Sequence, residues 1–346
     1  MLPTIGDVAA AAGVSTATVS RVLNRTDPVR QALRSKVEAA VARLGYVPHA
    51  GARSLMLGAT GTVDAIFPTG DNAIFAKAID ALQRRLADAG IQLLLATSGY
   101  DVDAEARQAV NLVAHGADGL AVCGCGQAPE LLRFLRQRGL PCVHVMTYPG
   151  PAELDCVGFD NARAMQRAVR LLLDLGHTRI AMLAGITLDN DRAAARVAGV
   201  RHALGEAGLD LPPRRLVERK YAIADAREGL RTLMTADKRP PTAVLCGNDV
   251  LAFGALLEAQ ELGIAVPEAL SIIGFDDLEM VRHVRPALTT VHVPAEAMWN
   301  IAADRLIAAL RGEPASRAVE VEVALVVRQS TAPAPHRRGH HRGDSP

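Results

Sequence analysis

An α/β chain with a three-helix N-terminal head and a body of two doubly wound parallel-sheet subdomains is the fold the sequence predicts. Three observations predict it. From Val63 onward, short apolar runs alternate with amphipathic helices of about 10–15 residues, the pattern of parallel strands joined by crossover helices. The alternation passes through two successive series, the first ending on a strand over 142–146. Ahead of it, residues 1–45 hold only short helical patterns, separated from the body by a stretch containing Pro48, Gly51, Gly58 and Gly61.

The head elements follow from local signals. Thr4 is placed to cap a first helix, with Asp7 three residues on as its reciprocal partner; Ile5, Val8 and Ala9 form its apolar stripe. Gly13 suits a tight turn at positive φ. Ser15 caps a second helix whose Val19, Val22 and Leu23 face inward. A third helix over 31–44 repeats Leu33, Val37, Val41 and Leu44. Two short helices joined by a tight Gly turn are a helix-turn-helix, and the start of its second helix is the part that reaches base edges in the major groove. Here that part is Ser15, Thr16 and Ala17, with Arg21 one turn later. A threonine hydroxyl bonds a base or phosphate, an alanine touches a thymine methyl, and an arginine fork matches guanine or phosphate. On this pattern alone, a plain three-helix bundle with a solvated basic face is an equally good reading.

Charge separates the two regions. The 346-residue chain has a net charge of +1, but residues 1–58 hold seven Arg or Lys against three Asp or Glu, a charge of +4 that leaves −3 on the rest. A basic head on a mildly acidic body points to a polyanionic partner for the head.

The body elements come next. Strands are expected at 63–67, 91–96, 119–123 and 142–146, with helices over 73–89, 102–115 and 128–138. The second series has strands at 156–159, 179–183, 216–220, 243–246 and 271–274, with helices over 162–175, 191–207, 224–235 and 249–262. An extended segment at 288–293, a helix over 295–310 and a last strand at 319–327 complete the body. The tail 333–346, rich in Pro, Arg, His and Gly, is expected to be disordered. In doubly wound sheets ligands bind beyond the carboxyl ends of the strands, so a cleft between the two halves is the expected site.

Other classes are disfavoured. The five cysteines include no C-x-x-C pair and have apolar neighbours, so they read as reduced, buried thiols of a cytoplasmic protein, and no metal site is expected. No apolar run approaches a membrane span of roughly 20 residues, and the N-terminus lacks the pattern of an export signal. His115 and His177 lie in helix-to-strand turns, Ser271 has no G-x-S-x-G frame, and the Gly-rich 124–127 lacks the G-x-G-x-x-G of a nucleotide site. No catalytic constellation and no cofactor are therefore expected.

The residues also carry a resemblance. The run from Asp7 to Asn24, D-V-A-A-A-A-G-V-S-T-A-T-V-S-R-V-L-N, resembles the DNA-binding head of the LacI/GalR family. The similarity continues through Gly45-Tyr46-Val47-Pro48, Ala52-Arg53-Ser54-Leu55, Leu175-Gly176-His177-Thr178-Arg179-Ile180-Ala181, Gly247-Asn248-Asp249, Ile273-Gly274-Phe275-Asp276-Asp277 and Pro286-Ala287-Leu288-Thr289-Thr290-Val291, covering roughly residues 4–330. The chain departs from the family where Arg30 and Leu33 replace a common Ser and Thr, where His49 replaces a frequent Asn, and where Thr147-Tyr148 replaces an Asp at the end of a strand.

The resemblance implies a periplasmic-binding-protein-like body and a DNA-binding transcriptional regulator, expected to be a repressor whose operator affinity is set by a small effector. It implies domains over 1–58 (head and hinge helix) and 59–332 (effector binding and dimerisation). The implied DNA contacts are Thr4, Ser15, Thr16, Ala17, Ser20, Arg21, Asn24 and Arg53, with Leu55 as a minor-groove wedge in a hinge helix that folds on the operator. The implied effector contacts are Arg196, Asn248 and Asp276, with Asn72, Phe75, Tyr148 and Phe159 as further candidates. The expected partners are a palindromic double-stranded operator, a sugar or sugar acid, and a second copy of the chain in a dimer; no Leu heptad after Val327 supports a tetramer. A free-standing solute-binding protein would lack the head and need an export signal. A dehydrogenase of the doubly wound class would need the missing phosphate fingerprint.

Overall fold

Among the described residues the head consists of three helices, the first two on the expected caps. The computed structural model of the protein describes residues 2–24, 29–47, 59–313 and 318–335. The chain divides into two units, residues 1–61 and 62–346. In the head, α1 (Ile5–Ala12) starts with a capping box: the Asp7 amide donates to the Thr4 hydroxyl at 3.3 Å, and the Thr4 amide donates to the Asp7 carboxylate at 2.7 Å. The Thr4 donors hold the Asp7 carboxyl below the usual carboxylate range. Gly13 ends the helix at φ 65°, a left-handed turn that suits glycine. Ser15 accepts from the Thr18 amide at 3.2 Å and so caps α2 (Thr16–Asn24). α3 (Gln31–Leu44) begins at Arg30 with no side-chain cap, the consequence of the Arg30 departure. Val8, Ala9, Val19, Val22, Val37 and Ala40 form the core, with Ile5, Leu23, Val41 and Leu44 packed around it. Leu33, expected inward, stays half-buried outside that cluster.

The body consists of two lobes, each a six-stranded sheet. The first runs β11-β5-β4-β3-β1-β2, with β1 Thr62–Phe67, β2 Gln92–Thr97, β3 Gly119–Cys123, β4 Cys142–Val145, β5 Asp155–Gly158 and β11 Val319–Glu320. The second runs β12-β10-β9-β8-β6-β7, with β6 Ile180–Gly185, β7 Leu216–Arg219, β8 Ala243–Cys246, β9 Ser271–Asp276, β10 Thr289–His292 and β12 Ala324–Val326. All pairings are parallel except β12 against β10. Strand order reverses between β1 and β3 in one lobe and between β6 and β8 in the other. These are the two switch points where a doubly wound sheet opens a binding crevice.

The helices are α4 (Ala73–Asp88), α5 (Val102–Ala114), α6 (Pro129–Arg138), α7 (Asn161–Asp174), α8 (Asp191–Glu206), α9 (Ile223–Thr235), α10 (Asp249–Glu261), the short α11 (Met280–His283) and α12 (Ala295–Leu310). Their packing corrects the expected split of the chain. The strand expected at 156–159 to open the second series runs over Asp155–Gly158 and pairs with β4 in the first sheet. α12 likewise returns to pack on α4 and β4 of the first lobe. The expected last strand over 319–327 divides: β11 joins β5 in the first sheet, and β12 joins β10 in the second. The alternation of Val319, Val321 and Val323 identifies an extended segment but not its neighbour. The Val321 amide donates to Gly158 O at 2.6 Å on one side, and Arg167 donates to Val323 O at 2.9 Å on the other. The chain therefore crosses between lobes three times.

One apolar cluster runs through both lobes beside these crossings. Trp299 stacks on Phe67 at 4.8 Å, and Phe159 packs on Phe275 at 5.9 Å. The tail also begins later than expected. Ala334 donates to Leu175 O at 2.8 Å and His177 bonds Ala332 O at 3.0 Å, so the described residues up to 335 lie on the second lobe. Residues 336–346 of the expected disordered tail lie outside the described residues.

Candidate functional site

In the head, Thr16, Ala17 and Arg21 are exposed on one side of α2, with the i, i+4 spacing of Ala17 and Arg21 aligning them. Ser20, half-buried, lies beside them. Thr4 and Ser15 are exposed too, but their hydroxyls already serve as helix caps. Asn24 ends α2; its side chain, and Arg53 and Leu55 with the expected hinge helix, lie outside the described residues.

In the body, the strand ends at both switch points face one cleft. From the first lobe come Asn72, Phe75, Tyr100 and Met146; from the second, Asn190, Arg192, Arg196, Tyr221, Asn248 and Asp276. Several are positioned by helix caps. Asn72 accepts from Ile74 at the start of α4, Asn190 from Ala193 at the start of α8, and Asn248 from Leu251 at the start of α10. With its oxygen so used, the Asn248 Nδ2 donor is buried without a partner among the described residues. That is an expensive state, relieved by an acceptor in the cleft.

Arg196 is rigid. Its Nε donates to Asn161 Oδ1 at 2.9 Å and its Nη1 to Gly247 O at 2.6 Å, while the guanidinium lies over the Phe275 ring at 3.8 Å. Asp276 ends β9 at φ 107°, a conformation that few non-glycine residues adopt and that marks functional sites. Burial pushes its carboxyl up to about 7 against the pull of Arg196 and Arg192. Its neighbour Asp277 differs: Arg282, Arg328 and His292 all contact it, and the two arginines hold its carboxyl below the usual range despite its burial. Asp249 is also structural, accepting from Thr290 Oγ1 at 2.6 Å and the Leu278 amide at 2.7 Å.

The lobes are closed on each other. Asp191, at the start of α8 in the second lobe, accepts from the Cys125 amide at 2.8 Å and from Thr147 Oγ1 at 3.1 Å, both in the first lobe. Arg192 pairs with Asp191 at 3.2 Å and lies against Gly124, where a Cβ would fall 2.2 Å from its Nη1. Two cavities lined by both Arg192 and Tyr100 measure about 20 Å³ each, while a wider one of about 460 Å³ opens beside the crossover between Ile74, Asp276 and Asn300. Each of the two small cavities has room for about one water, so a sugar-sized ligand in contact with Arg196 and Asn248 requires the lobes to part.

Five of the seven expected effector residues thus meet in the cleft: Asn72, Phe75, Arg196, Asn248 and Asp276. Two do not. Phe159 is core, 1% exposed, because the crossover into α7 turns its ring onto Phe275. Tyr148 is half-buried and lines neither cavity, because the chain beyond β4 turns away: the Tyr148 amide bonds Phe159 O at the crossover. Tyr100, Met146, Asn190, Asp191, Arg192 and Tyr221 were missed. Arg192 had a signal, since it lies one turn before Arg196 on the same face of α8. Among the described residues no group of three or more His, Cys, Asp or Glu is arranged for a metal ion, and no helix is long and apolar enough to cross a membrane.

Comparison with known proteins places this geometry. The family described as Bacterial regulatory proteins, lacI family, matches residues 4–49, and Periplasmic binding protein-like domain matches residues 169–331. The HTH-type transcriptional repressor PurR of Salmonella paratyphi B is 33% identical over 343 residues, covering 97% of this chain and 99% of the relative. The chain belongs to the lacI family of bacterial regulatory proteins. Among solved structures, the lac repressor dimer bound to operator and the anti-inducer ONPF matches with a TM-score of 0.83 at 26% identity, over 96% of this chain and 100% of that one. The transcriptional regulator CelR in complex with cellobiose matches at 0.69 and 28%, over 95% and 99%. As a lacI-family protein, the chain is a DNA-binding transcriptional repressor under small-molecule control, with its helix-turn-helix in α1 and α2.

Proposed function

We propose that a sugar or sugar acid binds between the two lobes and thereby sets operator affinity, with Arg196, Asn248 and Asp276 as its principal contacts and Asn72, Phe75, Tyr100, Asn190, Arg192 and Tyr221 around them. The observation that carries this reading is the convergence on one cleft of a rigid guanidinium, an unpartnered buried amide donor and a buried carboxyl at a strained strand end. Vicinal hydroxyls need such a mixture of bidentate donor and acceptor. The CelR–cellobiose complex, similar in fold, supports a sugar-like effector.

Thr16, Ala17, Ser20 and Arg21 read the operator, joined by Thr4, Ser15, Asn24, Arg53 and Leu55. The domains divide at about residue 58, into the head with its hinge and the effector-binding and dimerisation body. The protein acts in the cytoplasm, has no enzymatic step, and binds a two-fold operator as a homodimer, as the lac repressor dimer does. The edge strand β2 offers a dimer face, with Leu94 and Leu95 exposed. A thermal-shift screen against sugars, sugar acids and purines tests the effector: a ligand at 100 times its Kd adds roughly 2.7 kcal/mol. No shift from any sugar or sugar acid would overturn the reading.

A further inference from the structure

Beside the cleft, two cysteines far apart in sequence come together. Cys125 follows β3 and Cys156 lies in β5, yet their sulfurs are 3.5 Å apart. Cys156 is fully buried, whereas Cys125 is half-buried. Gly150 closes over them so tightly that a Cβ there would lie 2.2 Å from Cys156 Sγ and 3.0 Å from Cys125 Sγ. Among the described residues no other pair of thiols is in contact: Cys142 faces His144 Nε2 at 3.7 Å, and Cys123 and Cys246 are enclosed in apolar packing.

We propose that Cys125 and Cys156 form a peroxide-oxidisable pair, a modification site that closes to a disulfide. A disulfide needs about 2.05 Å between sulfurs, so each sulfur moves by well under 1 Å, within reach of small side-chain rotations. One thiolate attacks a peroxide oxygen, the O–O bond breaks, and a sulfenic acid forms as hydroxide leaves to become water. The second thiol, losing its proton, attacks that sulfur; the S–S bond forms and the sulfenic oxygen departs as a second water. Two thiols are oxidised by two electrons and one hydrogen peroxide is reduced to two waters. The contact between the two sulfurs lowers the Cys156 thiol and raises the Cys125 thiol, so Cys156 carries the attacking thiolate and Cys125 resolves it. The site bears on the cleft, because the Cys125 amide is one of the groups that Asp191 grips across it.

The test uses the reduced full-length protein treated with hydrogen peroxide. Thiols are then counted after unfolding, and peptides are mapped without reductant. We expect the five thiols to fall to three, with a Cys125–Cys156 cross-linked peptide that dithiothreitol reverses. Cys125→Ser abolishes the cross-link, and Cys246→Ser keeps it. Should Cys156→Ser fail to fold, Cys125→Ser, at the more exposed position, still decides. Five remaining thiols, a cross-link between any other pair, or oxidation of Cys125 to sulfinic acid without a cross-link would overturn the proposal.

Discussion

Arg196 and Asp276 show how much one side chain can carry in this cleft. Each is buried, and each presents hydrogen-bonding capacity toward the space between the lobes. A hydrogen bond to a charged group contributes about 1.5–3 kcal/mol, so Arg196→Ala and Asp276→Ala should each weaken effector binding roughly ten- to a hundred-fold. Operator binding by the effector-free protein should persist, since the head has its own core. Calorimetry with the identified effector checks this, and unchanged affinity in both variants would exclude them as contacts. Asp64 makes a different residue-scale prediction. It is fully buried in β1, and neither carboxylate oxygen has a partner among the described residues. Burial, with Asp118 adding and His115 opposing, pushes its carboxyl up to about 6. The folded state therefore binds a proton that the unfolded state has released between about pH 4 and 6. The stability from this group is full at low pH and is lost as pH rises through about 6. Asp64→Asn should leave Tm unchanged near pH 4 and raise it by roughly 2–4 °C at pH 8, about 1 kcal/mol for a body of this size. Equal shifts at both pH values in a calorimetric scan would contradict the assignment.

The N-terminus of α8 does the mechanical work at the scale of elements. Asp191 ties the second lobe to the Cys125 and Thr147 segments of the first, and Arg192 fills the space between. Losing bonds of about 1.5–3 kcal/mol to a charged group should lower the closed-to-open ratio tenfold or more. Effector-free Asp191→Ala should accordingly give a larger radius of gyration in small-angle scattering; identical curves for variant and parent would mean that other contacts hold the lobes together. Most of the elements themselves were legible in the sequence. The third head helix over 31–44, the strands at 119–123 and 243–246 and the helix over 295–310 lie where their periodicity and caps indicated. The 319–327 segment did not stay whole, because alternation reports that a chain is extended without reporting which edge it joins.

For the whole molecule, assembly follows from symmetry. A two-fold operator calls for two heads, and β2 leaves an edge strand with exposed Leu94 and Leu95. Sedimentation at micromolar concentration should give a dimer. Leu94→Glu with Leu95→Glu should shift it toward monomer, and an unchanged sedimentation coefficient in that variant would exclude β2 as the dimer face.

The sequence by itself determined the head, from the Thr4–Asp7 box to the Gly13 turn and the exposed Thr16, Ala17 and Arg21, because caps and turns are local physics. It also determined the two-lobed body, through its alternating periods, and three cleft residues at strand ends or in the helices just after them, Arg196, Asn248 and Asp276. Only the tertiary structure decided that the chain crosses between lobes three times, that Phe159 belongs to the core, that Asp191 and Arg192 bridge the cleft, and that Cys125 meets Cys156. Each of those depends on contacts between segments distant in sequence. Periodicity tells a residue which way to face, while the partner it meets there is chosen by how the sheets and crossovers pack.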